Sequence, residues 1–173
     1  MRNLIILSLI PLSAACSTVQ TAGVAEVLSA QLVRGDGSAA GVATISRRSD
    51  GIWLSIAADA PVAGSFGMHL HAVGKCEGPD FTSAGPHWNP SGRQHGHDNP
   101  MGSHSGDLPN AQAGADLKIA VNQQIPEMLL AGDSGLVDGD GAAIIIHEKA
   151  DDYKTDPSGN SGRRIICGVF KKS

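Results

Sequence analysis

Aromatic residues make up only 3% of this 173-residue chain. A packed interior must therefore come from Val, Ile, Leu and Ala. Long stretches with a helical apolar period are missing, which argues against a helical bundle. No basic stripe is present: 13 Lys and Arg against 17 Asp and Glu give a net charge of -4. Nothing in the chain would meet a run of phosphates, so no nucleic-acid partner is expected. The longest apolar run, near the N-terminus, is too short to span a bilayer as a mature helix. Cysteine is scarce, at three residues, and the odd number leaves one thiol to explain.

That N-terminal run reads as an export signal. A positive start at Met1-Arg2-Asn3 precedes an apolar stretch over residues 4–12, and Ser13-Ala14-Ala15 supplies small residues before Cys16. The pattern resembles a bacterial lipobox, with Ser13 where leucine is commoner. Residues 1–15 are then a lipoprotein-type signal peptide. Cys16 is acylated as the new N-terminus, and residues 16–23 form a short tether. The expected location is the bacterial periplasm, with membrane contact only through the lipid. The alternative is an ordinary cleaved signal in which Cys16 is lost. Either way Cys76 and Cys167 remain for an oxidising compartment. If they pair, closing about 90 residues contributes on the order of 4–5 kcal/mol; the other reading is two buried free thiols.

Glycine is abundant, at 22 residues, and nine prolines are scattered among them. Short strand-like segments lie at residues 24–33, 41–46, 52–57 and 64–71. They are separated by turns such as Arg34-Gly35-Asp36-Gly37 and Asp50-Gly51. Further strands are predicted at 115–121, 127–130, 142–147 and 164–170. This spacing predicts one all-β domain over residues 24–173, an antiparallel sandwich or barrel. Residues 73–110 and 148–162 read as two long loops without regular elements. A polar loop of that length inside a compact domain is functional or disordered.

Six of the seven histidines form an ordered array: His69, His71, His87, His95, His104 and His147, with Asp107 three residues after His104. Imidazole suits copper and zinc better than hard cations. His69 and His71, two apart on one strand, project from the same face, while Met68 and Leu70 face the other way. His147 ends another apolar strand. His87, His95, His104 and Asp107 lie in the polar loop, and three His with one Asp make a closed tetrahedral zinc set of the structural type. The array implies two neighbouring ions, one held by nitrogen alone and one by nitrogen plus a carboxylate. His97 is expected to be exposed, and Met68 and Met101 to be packed or buried rather than ligating.

Several blocks resemble copper-zinc superoxide dismutase, in the order and spacing of that family. They are Gly67-Met68-His69-Leu70-His71, Ser83-Ala84-Gly85-Pro86-His87-Trp88-Asn89-Pro90, Gly106-Asp107-Leu108-Pro109-Asn110, His147-Glu148-Lys149-Ala150-Asp151-Asp152 and Arg164-Ile165-Ile166-Cys167-Gly168. The resemblance implies a flattened eight-stranded Greek-key barrel, an immunoglobulin-like sandwich with two functional loops. It implies one copper on His69, His71, His87 and His147, and one zinc on His87, His95, His104 and Asp107. His87 then bridges both as an imidazolate. Asp151 matches an outer aspartate linking His69 to His95, Arg164 an arginine beside the open copper face, and Cys76 with Cys167 a disulfide.

The activity implied is dismutation of superoxide to oxygen and hydrogen peroxide, as antioxidant defence in the cell envelope. The loop at 148–162 is shorter than in many eukaryotic members, and their guiding lysine has no clear match; Lys149, Lys154 and Arg163 are the candidates for steering. The other function class is an exported protein that buffers or delivers copper or zinc on the same scaffold. The resemblance leaves a homodimer open, because branches of the family pair differently.

Overall fold

Period-two alternation builds the first half of the barrel. In the computed structural model, which describes residues 27–126 and 139–170, β1 (Val27–Arg34), β2 (Ala39–Arg48) and β3 (Gly51–Asp59) are successive antiparallel strands. Ile52, Leu54 and Ile56 are buried, while the alternate Trp53, Ser55 and Ala57 are more exposed. The turns at Gly37 and Asp50 fall where the glycine and aspartate signals put them. Cys16, the export signal, the tether and the strand predicted at 127–130 lie outside the described residues.

The remaining strands are β4 (Gly64–His71), β5 (Asp107–Ala113), β6 (Lys118–Ile125), β7 (Ala142–His147) and β8 (Arg164–Phe170). Together the eight close a barrel in the order β1-β2-β3-β6-β5-β4-β7-β8. The β3–β4 and β6–β7 connections cross over, as a Greek key requires, and closure leaves no free sheet edge. The all-β Greek-key barrel expected from the sequence is the observed fold.

Two sequence expectations need correction. Residues 73–110 are not wholly irregular: a one-turn 3₁₀ helix forms at Thr82–Ala84 and β5 begins at Asp107. The strand predicted at 115–121 is really the start of β6, displaced to 118, after a turn in which the Leu117 N–H donates to the Gly114 carbonyl. Pro109 obscured β5, because proline argues against a strand interior. Here Phe66 pairs with Ala111 and Met68 with Leu108, so Pro109 and Asn110 stand opposite Gly67 alone. That two-against-one count is a β-bulge, which tolerates a missing N–H.

Strands β4 and β7 decide where a site can form. Met68 pairs with Ile146 and Leu70 with Ile144, and all four side chains enter the main core. The alternate residues, His69 opposite Ile145 and His71 opposite Ala143, point out of the barrel. A second apolar cluster of Phe81, Ala84, Ala143, Ile145 and Cys167 covers that outer face. Every residue of β7 is consequently buried. The Cys76–Cys167 disulfide, spanning 91 residues, ties this covering loop to β8. The free-thiol alternative therefore falls.

Candidate metal centre

His69 and His71 sit on β4, and on its antiparallel neighbour β7 His147 lies two residues beyond Ile145, the partner of His69, so adjacent strands bring three imidazoles to one place. A register shift after Ile146 sets His147 opposite Arg164. His87 arrives from the loop by backbone pairing. Ala72 N–H donates to the Pro86 carbonyl, Trp88 N–H to Leu70, Gly106 N–H to Trp88, and Leu70 N–H to Gly106. These bonds extend the sheet beyond β4 and lay His87 beside His71. The approach is close enough that a Cβ on Gly106 would stand 2.3 Å from the Leu70 carbonyl oxygen. Only glycine fits there.

The four donor atoms of His69, His71, His87 and His147 lie within 4.8 Å of one another. His69 Nδ1, His71 Nε2 and His147 Nε2 are buried without any hydrogen-bond partner. The opposite nitrogens are engaged: His71 Nδ1 donates to the Gly85 carbonyl at 2.9 Å, His147 Nδ1 to Gly162 at 3.1 Å, and His69 Nε2 to Asp151 at 2.7 Å. Each bond fixes a tautomer and turns the other lone pair inward. Burial, first among several causes, pushes His71 down to about 2, His147 to about 3 and His87 to about 4, and lowers His69 as well. These rings are neutral at pH 7 and free to ligate. A buried nitrogen with no partner is costly, and an ion that all four could hold would remove that cost.

On the other side of His87, the donors crowd around one carboxylate oxygen. Asp107 Oδ1 lies 2.9 Å from His87 Nδ1, 3.0 Å from His95 Nδ1 and 3.2 Å from His104 Nδ1, and His104 Nδ1 lies 3.2 Å from His87 Nδ1. A zinc tetrahedron with bonds near 2.0–2.1 Å has edges of about 3.3 Å. Four of the six separations among these atoms are near that edge, and the second group of donors lying within 4.8 Å of one another is His69, His87, His95 and Asp107. Asp107 Oδ2 is held separately by the N–H groups of Gly96 and His104. Although burial alone would raise Asp107, the surrounding histidines hold its carboxyl well below the usual range.

Asp151 joins the two halves: Oδ2 accepts from His69 and Oδ1 lies 3.0 Å from His95 Nε2. Burial opposes protonation of His95, but hydrogen bonds to Asp107 and Asp151 outweigh it and raise the ring to about 9. Asn110, which sequence reasoning passed over, grips Asp151 by its backbone. Asn110 Nδ2 donates to the Asp151 carbonyl at 2.9 Å, and the Asp151 N–H returns to Asn110 Oδ1 at 2.8 Å. No local signal announces a pairing 41 residues apart. Asp152, also missed, accepts from the N–H groups of Lys154 and Thr155, from Thr155 Oγ1 and from Asn160 Nδ2. That turn was legible in principle, since aspartate commonly bonds backbone two or three residues on.

A cleft of about 950 Å³ opens onto this cluster, and His87, His147, Trp88 and Arg164 are among its walls. Arg164 is half-buried, its two terminal nitrogens donating to the carbonyls of Phe81 at 2.7 Å and Gly85 at 2.8 Å. Gly85 therefore orients both His71 and Arg164. Arg163 does not line the cleft; it donates to Glu148 Oε2 at 2.8 Å and is otherwise solvated. Lys149 and Lys154 are exposed and also lie outside the lining. His97 is exposed, with its ring 6.1 Å from Tyr153. Met68 is in the core, but Met101 is 65% exposed rather than buried, because its loop turns outward around Asn99.

The family model described as Copper/zinc superoxide dismutase (SODC) matches residues 39–170. Superoxide dismutase-like protein YojM of Bacillus subtilis (strain 168) is 49% identical over 144 residues, 81% of this chain and 74% of that protein. Superoxide dismutase [Cu-Zn] 1 of Aquifex aeolicus (strain VF5) is 34% identical over 163 residues, 91% of this chain and 96% of its own. Among solved structures, a double mutant of a SOD-like protein from Bacillus subtilis superposes with a TM-score of 0.79 at 46% identity, covering 83% of this chain and 97% of that one. The Cu/Zn superoxide dismutase from Brucella abortus does so with a TM-score of 0.66 at 26% identity, covering 83% and 99%. With a matched family model, a shared barrel and histidine groups fit for metals, this chain belongs to the copper/zinc superoxide dismutase family.

Proposed function

We propose that this protein dismutates superoxide in the bacterial cell envelope, using copper held by His69, His71, His87 and His147 beside a structural zinc held by His87, His95, His104 and Asp107. The observation that carries this reading is the set of three unpartnered ring nitrogens facing one another beside the rings of His87, His95 and His104 gathered round Asp107 Oδ1, with His87 reaching both. The donor chemistry fits both ions, nitrogen alone on one side and nitrogen plus carboxylate on the other. When bound, copper supplies a one-electron couple, through which one superoxide leaves as oxygen and a second, with two protons, leaves as hydrogen peroxide.

The chain's own residues do the rest. Arg164 keeps its charge at any physiological pH and binds the anion at the mouth of the cleft. Its two carbonyl contacts hold the guanidinium still, so little orientation is lost on binding. A net charge of -4 does not oppose this, because charges beyond about 8 Å are largely screened at physiological salt. His87 holds its Nδ1 toward Asp107, which leaves Nε2 as the atom to carry a proton to the reduced product. Asp151 and Gly85 fix ring orientation. Lipidation at Cys16 would anchor the enzyme, with residues 16–23 as its tether.

The test is dismutation by the exported domain with copper and zinc quantified, beside Arg164→Ala and His147→Ala. Expected are fast turnover near one copper and one zinc per chain, weakened by Arg164→Ala and reduced to background by His147→Ala. Full metal loading with negligible turnover would sink the enzymatic reading and leave a protein that buffers or delivers metal.

A further inference from the structure

Asp156 stands in the second loop, far from the ligands in sequence, yet one of its oxygens reaches the zinc side twice. Oδ1 accepts a hydrogen bond from the His95 backbone N–H at 2.6 Å, and the same atom lies 3.9 Å from His104 Nε2. His104 turns its other nitrogen, Nδ1, toward Asp107 and His87. The ring is therefore flanked by carboxylates on both sides. Asp151 holds a closer place at His95, 3.0 Å from its Nε2 and within hydrogen-bond reach, while Nδ1 faces Asp107.

The loop is built to present Asp156 there. Asp152 pins the backbone at Lys154 and Thr155, and the N–H groups of Ser158 and Gly159 both donate back to the Thr155 carbonyl. Asp156 rides on this closed turn. Around it, Asp98 N–H donates to the Tyr153 carbonyl at 2.9 Å and the Asn99 amide to His95 at 3.0 Å. On the same turn, a Cβ on Gly159 would stand 1.8 Å from Asp151 Oδ1, so this glycine closes directly over the Asp151–His95 contact.

We propose that Asp156 is a positioning residue for the zinc side, acting on His95 through its backbone and on His104 through Nε2. With Asp151 it makes the 148–162 loop a two-point clamp on the zinc-side histidines. Outer carboxylates of this kind orient ligating histidines and raise their basicity, and removing one costs 10–100-fold in metal affinity. Among the described residues no hydrogen bond or ion pair joins Asp156 to the copper-side rings, so its direct action is on the zinc side. The inference rests on the zinc assignment given above.

The experiment uses the full copper- and zinc-loaded protein, Asp156→Ala and Asp156→Asn. Zinc release into a chromogenic chelator is followed, together with the visible spectrum after cobalt(II) replaces zinc. Expected are release roughly 10-fold faster or more in Asp156→Ala, an altered cobalt spectrum, and partial rescue by Asp156→Asn, which keeps an acceptor for the His95 N–H. Wild-type release rate and spectrum in Asp156→Ala would overturn the proposal. So would an equal loss of Tm in the metal-free and zinc-loaded forms of that variant, which would mark a merely structural loop contact. Failure of the wild-type protein to take up zinc would instead overturn the zinc assignment, and the Asp156 role with it.

Discussion

The two sides of His87 are organised in opposite ways. His69, His71 and His147 are carried by β4 and β7, and their inward nitrogens are left without partners. His95 and His104 are carried by a loop, and their nitrogens are already engaged with carboxylates. On the strand side, the backbone ladder fixes geometry before any ion arrives. On the loop side, carboxylates and interlocked turns do that work, with Asp107 Oδ1 within 3.2 Å of three rings. The lesson is that equal ligands can be preorganised either by a sheet or by a polar network, and the two should fail differently.

The largest expected effect breaks the strand side. His71→Ala should remove copper and bring dismutation to background while zinc is retained, because the backbone pairing of residue 71 with His87 survives the change and no zinc-side hydrogen bond uses the His71 ring. Metal analysis by mass spectrometry checks this; loss of both ions together would show that the two sides are not independent.

Next in size is Asp151→Asn, which touches both sides at once. One neutral amide cannot serve His69 and His95 as two carboxylate oxygens do, so zinc affinity should fall by 10–100-fold and the copper electron-spin spectrum should change. A variant that altered only one site would separate what Asp151 now joins.

The smallest effect sharpens the comparison through protons. His95, raised to about 9 in the metal-free protein, is protonated at pH 7 and must release that proton to ligate. Zinc affinity should therefore rise about tenfold per pH unit from neutrality and level off near pH 9. His71 and His147, depressed to about 2 and about 3, have no proton to give up in this range. Calorimetry of zinc binding in buffers of different ionisation enthalpy measures the released proton, and no buffer dependence would contradict the raised His95.

Much of this was legible in the chain. Alternation gave β3 and the face of β4, since side chains two apart must share a face. The ligand types and their order were legible because imidazole is rare and its chemistry narrow. Pro109 hid β5, because a bulge is defined by its partner strand rather than by its own residues. Asn110, Asp152 and Asp156 escaped notice for a similar reason: polar loop residues look alike until a fold places them.

By itself the sequence determined the all-β class, the shared face of His69 and His71, and an array of histidines suited to metal, because each follows from period, residue chemistry and spacing. Only the tertiary structure decided that Asn110 grips the Asp151 backbone, that the Gly85 carbonyl serves both His71 and Arg164, and that Arg163 is engaged by Glu148. These are contacts between segments distant along the chain. A local pattern carries no record of them, and barrel closure with the covering loops brings them within hydrogen-bond reach.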